Sequence, residues 1–190
     1  MGGCQDVSLI IDFLASYLFP SGERVVEEWI TTGISLGGNL TWRLLQSGMS
    51  FHYPSYTGWW PLTAAEPRIK IAIPIIGLPW DAFHLYLGAR ARDMGLEFAP
   101  PLYPPSLKSI LETPRRAGCY AGKKILSIHG SIDTLVPFDQ GKLQIEAAQR
   151  EIEEQGGKME IWVKEAAGHV VTTDMVRRVG DWVWRFALSS

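Results

Sequence analysis

The segment Gly33-Ile34-Ser35-Leu36-Gly37 lies between residues 25–34, which are rich in β-branched and aromatic side chains, and residues 38–46, which carry Leu at helical spacing. The first pattern favours a buried strand and the second an amphipathic helix. Glycines flank the serine because a very sharp strand-to-helix turn brings the backbone on either side too close for side chains. The segment therefore predicts an α/β fold in which Ser35 lies on a strained turn.

Strand-like and helix-like segments alternate along the rest of the chain, which predicts a mainly parallel sheet of about four strands with helices on both faces, a three-layer α/β sandwich. The predicted strands are residues 25–34, 69–77, 124–128 and 159–164. The predicted helices are residues 6–18, 38–46, 80–94, 138–155 and 173–188, with a short one near Leu107. We expect one domain over residues 1–190, with a proline-rich, lid-like insertion at about 78–120.

Composition excludes several classes of function. The 190 residues are 46% hydrophobic and 20% charged, as in a soluble globular domain, and the net charge of −2 without a basic stripe argues against nucleic acid as a partner. There is no apolar stretch long enough to span a membrane and no signal-peptide pattern at the start. Two distant cysteines suggest free thiols in the cytoplasm, and we expect no metal and no cofactor.

Three residue types that work together in acyl transfer follow three of the predicted strands. Ser35, Asp133 and His169 each come just after a strand, and functional groups collect at the carboxyl ends of parallel strands. A serine hydroxyl needs a neighbouring base, which a neutral imidazole supplies, and a carboxylate fixes the imidazole's tautomer. The order Ser, Asp, His along the chain is compatible with this topology.

Each of these residues also has a purely structural interpretation. Ser35 can be a small residue in a tight turn, Asp133 can cap the turn before Val136, and His169 can be a surface histidine. Trp59, Trp60 and Trp80 can line an acyl pocket or simply pack in the core. His129 is interpreted as a brace for the turn that follows it.

Three motifs together resemble the α/β-hydrolase superfamily, and more narrowly its prolyl-oligopeptidase-like and dienelactone-hydrolase-like esterase branch. They are Gly33-x-Ser35-x-Gly37-Gly38, then His129-Gly130-x-x-Asp133-x-x-Val136-Pro137, then Gly168-His169. The resemblance implies that Ser35 is the nucleophile, His169 the general base and Asp133 the orienting acid. It also implies that the backbone N–H of Leu36 donates to the oxyanion.

The chain departs from this family pattern before the strand-to-helix turn at Ser35, which is called the elbow below. Family members usually carry about four further strands there, with a loop that supplies a second oxyanion donor, whereas only 32 residues precede Gly33. The resemblance thus covers the C-terminal half to two-thirds of an α/β-hydrolase domain. The elbow strand is then expected at the edge of the sheet, where it could support a homodimer.

The primary hypothesis is a serine hydrolase, carboxylesterase-like, that cleaves an ester or short acyl bond through an acyl-enzyme. A serine peptidase acting on small peptides is the alternative enzyme. The alternative from another class is a catalytically silent, hydrolase-derived fragment that acts through binding or partner association.

Overall fold

The computed structural model describes residues 2–46, 66–112 and 117–189. They contain a four-stranded sheet in the order β1-β2-β3-β4, and every neighbouring pair is parallel. The strands are Trp29–Ile34 (β1), Ile69–Ile75 (β2), Lys124–Gly130 (β3) and Lys158–Lys164 (β4). The helices are Gly2–Leu18 (α1), Leu36–Gln46 (α2), Trp80–Asp93 (α3), Pro105–Leu111 (α4), Lys142–Glu154 (α5) and Thr173–Val183 (α6). The predicted parallel α/β fold is confirmed.

Helices cover both faces of the sheet at its centre. Parallel strands in sequential order are joined by right-handed crossovers as a rule, so we expect α2, α3 and α5 on one face. The contact between α2 and α3 agrees with this placement. Every residue of β3 from Ile125 to Gly130 is buried, so its second face is covered as well, and α6 packs there after β4. No helix within the described ranges is long and apolar enough to cross a membrane.

The elbow strand β1 lies at one edge of the sheet, as expected from the short segment before it. Its burial alternates, with Trp29, Thr31 and Gly33 half-buried and the residues between them exposed. Only the face that meets α2 is therefore covered. The prediction that the strand begins at residue 25 is wrong, because Val25 is 81% exposed and the charged residues that follow it lie outside the ladder.

Pro74 lies inside β2 rather than at the end of its pairing. It stands opposite Gly33 of β1, while the pairing between β2 and β3 is interrupted from Ala72 to Ile75. Proline has no N–H to donate, so the interruption is expected on the side to which its nitrogen points. The ladder to β1, which carries the elbow, stays continuous at this point.

The predicted amphipathic helix at the start of the chain forms, but only part of its apolar stripe is buried. Ile11 is buried and Val7 packs against the core, whereas Ile10, Tyr17 and Leu18 are exposed. Among the helices and strands, the main contact of α1 is with α2. Its ion pair from Asp12 to Arg68 ties it to the start of β2.

Glycines permit close contact between the elbow and the neighbouring strand. A Cβ added to Gly38 would lie 2.6 Å from the carbonyl oxygen of Ile75, and one added to Gly77 would overlap the backbone of Gly38. Gly33 is equally restricted, because its Cβ would overlap the carbonyl of Gly37. The first turn of α2 therefore packs directly on backbone from β1 and β2.

We predict that Gly38→Ala destabilises the protein by about 2 kcal/mol or more, because the added methyl group meets backbone that cannot move aside. Gly180→Ala is the matched control, since Gly180 is also helical and nothing lies within 4 Å of its Cβ position. That substitution should be neutral or stabilising by up to about 1 kcal/mol. Urea denaturation measures both values, and equal stability of the two variants would contradict the packing described here.

Candidate active site

Ser35 occupies the turn between β1 and α2 in a left-handed backbone conformation, with φ of 55°. Its N–H donates to the carbonyl of Ile75 at 2.9 Å, and its own carbonyl accepts the N–H of Asn39 at 3.0 Å. Such a conformation is costly for a residue with a side chain and persists only where surrounding contacts impose it. The turn thus holds the serine side chain in a fixed direction beyond the end of β1.

The structure brings the three predicted triad residues into one hydrogen-bonded row. Nε2 of His169 lies 3.0 Å from Oγ of Ser35, and Nδ1 of His169 lies 2.8 Å from Oδ2 of Asp133. Residues that are 134 and 36 positions apart in sequence therefore meet at the carboxyl edge of the sheet. This row has the geometry in which a base can accept the serine proton while a carboxylate holds the base.

The Asp133 carboxylate is hydrogen-bonded to the backbone of the residues that follow it. Its Oδ1 accepts the backbone N–H groups of Leu135 at 2.8 Å and Val136 at 2.9 Å, which leaves Oδ2 for His169. The side chain has no exposed surface, so these three donors replace its hydration. A carboxylate fixed in this way presents one oxygen to the imidazole in a single orientation.

The loops that carry Asp133 and His169 are joined directly. The N–H of Ile132 donates to the carbonyl of Ala167 at 3.0 Å, and the N–H of Ala166 donates to Oγ of Ser131 at 2.9 Å. Gly130 is necessary for this approach, because a Cβ at that position would overlap the carbonyl of Ala167. Contacts between the two loops, most of them through the backbone, therefore set the distance between Asp133 and His169.

The backbone N–H of Leu36 lies in the first turn of α2, directly after the serine. The first N–H groups of a helix have no intrahelical acceptor, and the helix dipole favours negative charge beside them. The Leu36 side chain is 76% exposed and points away from the core. This N–H is available to an anion that forms beside Ser35.

Of the three tryptophans predicted to line a pocket, Trp59 and Trp60 lie outside the described residues. Trp80 is the first residue of α3, and its backbone N–H donates to Oε1 of Gln46 at 2.6 Å. Its ring stacks on Phe83 at 5.5 Å, and the Arg43 guanidinium lies 4.1 Å from the ring centroid. Trp80 is therefore half-buried and packs against Phe83 and Arg43 at the start of α3.

A cleft of about 520 Å³ opens beside the loop that carries Asp133. Phe138, Pro137 and Val163 supply apolar walls, and Ser131 and Asp139 supply polar groups. The cleft borders Asp133 but not Ser35 or His169. Because the cleft does not reach Ser35 or His169, the reacting group of a substrate that contacts Ser35 would lie outside it. Within the described ranges, no cluster of His, Cys, Asp and Glu has the arrangement of a metal site.

His129 is buried at the end of β3, four residues before Asp133. Its Nε2 lies 2.7 Å from Oγ of buried Ser127, and its ring packs on Phe138 with centroids 4.8 Å apart. Burial lowers the pKa of His129 to about 4, although the neighbouring Asp133 carboxylate opposes this effect. The imidazole is therefore neutral near pH 7 and packs as a polar core residue under the acid loop.

No protein-family model matches the chain, and no curated protein matches it in sequence. Among solved structures, the chain resembles the acylaminoacyl peptidase of Pyrococcus horikoshii with a TM-score of 0.56 and 18% identity, covering 96% of this chain and 27% of that one. It resembles Arabidopsis thaliana SOBER1 with a TM-score of 0.50 and 18% identity, covering 96% of this chain and 61% of that one. The chain thus has the α/β-hydrolase fold and spans about 61% of the length of SOBER1.

We predict that His129 makes the stability of the protein sensitive to acid. An unfolded chain protonates this histidine below a pH of about 6.5, whereas the folded chain resists protonation until a pH of about 4. Its contribution is complete above pH 6.5 and is lost as the pH falls towards 4. Between pH 7 and 4.5, the native chain should lose about 2 kcal/mol more than His129→Gln in urea denaturation. Equal losses would contradict a buried neutral His129.

Proposed function

We propose that this chain is a serine hydrolase that cleaves an ester or short acyl bond through an acyl-enzyme intermediate. The observation that supports this most is the hydrogen-bonded row from Ser35 through His169 to Asp133. The strained turn at Ser35 supports the same proposal, because backbone strain concentrates where a nucleophile must be presented.

In the proposed first step, Ser35 Oγ attacks the substrate carbonyl carbon while Nε2 of His169 accepts the hydroxyl proton. Asp133, bonded to Nδ1, keeps the other nitrogen unprotonated before the reaction and stabilises the imidazolium that forms. The imidazolium then gives its proton to the leaving group. In the second step, water loses a proton to His169 and attacks the acyl carbon. The bond between that carbon and Ser35 Oγ then breaks, Oγ takes the proton back from the imidazolium, and the acid is released.

The carbonyl oxygen becomes negative during each attack and needs donors that are already in place. We assign the N–H of Leu36 as one such donor, because it begins the helix that follows the nucleophile. In serine hydrolases, removal of one donor costs about 100- to 1000-fold in rate. A full rate therefore requires a second donor besides Leu36.

The substrate proposed is a small ester, acyl compound or short peptide. Exposed apolar side chains adjoin each triad residue in sequence, namely Leu36, Ile132 and Val170. They favour a modest hydrophobic acyl group over a charged one. We further propose that residues 78–120, which include α3 and α4, act as a lid or pocket wall and that Trp80 contributes to it.

Two alternatives follow from the same arrangement. A serine peptidase for small peptides would use the same three residues, and one structural neighbour is named an acylaminoacyl peptidase. A catalytically silent fragment would keep the fold and act by association. We also propose that the chain forms a homodimer through the edge of the sheet. We propose a cytoplasmic location, because the buried Cys4 and Cys119 are not joined in a disulfide.

We predict that the native chain hydrolyses p-nitrophenyl butyrate and that Ser35→Ala lowers kcat by about 10⁶-fold, leaving only the residual rate that binding and the oxyanion site supply. Asp133→Asn should lower kcat by about 10³- to 10⁴-fold, because an amide favours the wrong tautomer of His169. Asp139→Asn is the matched control, since Asp139 is an exposed carboxylate of the next turn and should leave kcat unchanged. Circular dichroism checks that each variant is folded.

A folded native chain with no hydrolysis of esters or of an acylaminoacyl p-nitroanilide would overturn the enzyme proposal and favour the silent fragment. Cleavage of the anilide with little ester turnover would favour the peptidase. Equal effects of Asp133→Asn and Asp139→Asn would contradict the role given to Asp133.

A further inference from the structure

The outer edge of β1 carries backbone groups that face away from the sheet. The N–H of Ser35 donates towards β2, and successive residues of a strand direct their N–H and C=O groups to alternate sides. Thr31 and Gly33 therefore face β2, whereas Ile30, Thr32 and Ile34 direct theirs outwards. Among the described residues, no strand pairs with this edge.

The side chains of the same three residues lie on the uncovered face of the sheet. Ile30 is 39% exposed and Ile34 is 52% exposed, while the Thr32 hydroxyl donates back to the carbonyl of Ile73. An apolar strand with open backbone groups is a template for pairing with another strand. The surface defined by Ile30, Thr32 and Ile34 is called the β1 edge below.

The opposite edge of the sheet, formed by β4, differs from the β1 edge because it carries charged side chains. Strand β4 carries Lys158, Glu160 and Lys164, and charged residues on an edge strand oppose pairing with another chain. Strand β1 contains no charged residue between Trp29 and Ile34. If one edge of this sheet associates, the sequence favours β1.

We propose that the β1 edge pairs with the β1 edge of a second copy of this chain, antiparallel and with Thr32 at the twofold axis. This proposal specifies the homodimer suggested above. In an antiparallel pair, outward-facing residues exchange both of their hydrogen bonds with the residue directly opposite. Centring on Thr32 puts Ile30 opposite Ile34 of the partner subunit, and Thr32 opposite its own counterpart.

This register is the one that satisfies the most backbone groups. All three outward-facing residues of each strand find a partner, which gives six hydrogen bonds. If the twofold axis lay at Thr31 or Gly33 instead, only two such residues of each strand would be paired, which gives four hydrogen bonds. It also makes two cross-strand pairs of isoleucines on the uncovered face. Because the same surface serves both subunits, the association closes as a dimer and joins two sheets into one of eight strands.

The dimer ends close to the proposed nucleophile. The same register places Trp29 of the partner subunit opposite Ser35, where β1 turns into α2. The pairing itself requires no catalysis, so sedimentation tests it separately from hydrolysis.

Two double variants of the full chain test the register by analytical ultracentrifugation. Ile30→Lys with Ile34→Lys places two introduced ammonium groups opposite each other in both pairs, and we expect the mass to fall from dimer to monomer. Ile30→Lys with Ile34→Glu places opposite charges in both pairs, so we expect a dimer that weakens at high salt. The two variants alter the same exposed positions, so circular dichroism and urea denaturation should show similar folding.

A native chain that is monomeric at tens of micromolar would overturn the proposal, as would occupation of this edge by another segment of the same chain. A native dimer for which both double variants dissociate equally, or neither dissociates, would overturn this register. Hydrolysis by the native chain without dimerisation would overturn the pairing and leave the enzyme proposal standing. A native dimer that does not hydrolyse any substrate would overturn the enzyme proposal and leave the pairing standing.

Discussion

The direct contact between the start of α2 and the backbone of β1 and β2 is the constraint on which the proposed site depends. Gly33, Gly38 and Gly77 leave no side chains between these segments, so the helix begins immediately beyond the strand. Ser35 is forced into a left-handed conformation by this contact, and the N–H of Leu36 stays free beside it. The positions of the proposed nucleophile and of the proposed oxyanion donor thus both follow from one packing requirement.

The other half of the site is built by the same means at the ends of β3 and β4. Gly130 lets the loop after β3 lie against the carbonyl of Ala167, and hydrogen bonds between the two loops hold Asp133 and His169 close together. Asp133 satisfies one oxygen with backbone donors and keeps the other for His169. The row of hydrogen bonds from Ser35 through His169 to Asp133 forms because the carboxyl ends of β1, β3 and β4 lie on the same side of the parallel sheet.

Much of this was accessible from sequence, because the relevant signals are local. The glycines around Ser35 report a sharp turn, and the three polar residues follow three apolar strands, so topology alone brings them near one another. The start of β1 was misjudged because Val25 and Val26 look like strand residues, although no neighbouring strand extends far enough to pair with them.

Features that depend on long-range packing were not accessible in this way. A proline has no N–H and by itself indicates that strand pairing ends nearby. The nitrogen of Pro74, however, faces the gap in the pairing with β3, and the ladder to β1 continues past it. The acid-sensitive burial of His129 arises from Ser127 and Phe138, whose approach only the folded chain defines. The exposed part of α1 also could not be inferred, because its periodicity reports a stripe but not how much of it finds a partner.

The central claim is that Ser35 is activated by its neighbours, and a fluorophosphonate probe tests it most directly by intact mass and peptide mapping. Such a probe reacts with a serine that has a base and an oxyanion site, and unactivated serines such as the exposed Ser16 serve as internal controls. The account predicts one adduct, located on Ser35 and absent from Ser35→Ala. A folded native chain that gains no adduct, or an adduct that survives in Ser35→Ala, would contradict it.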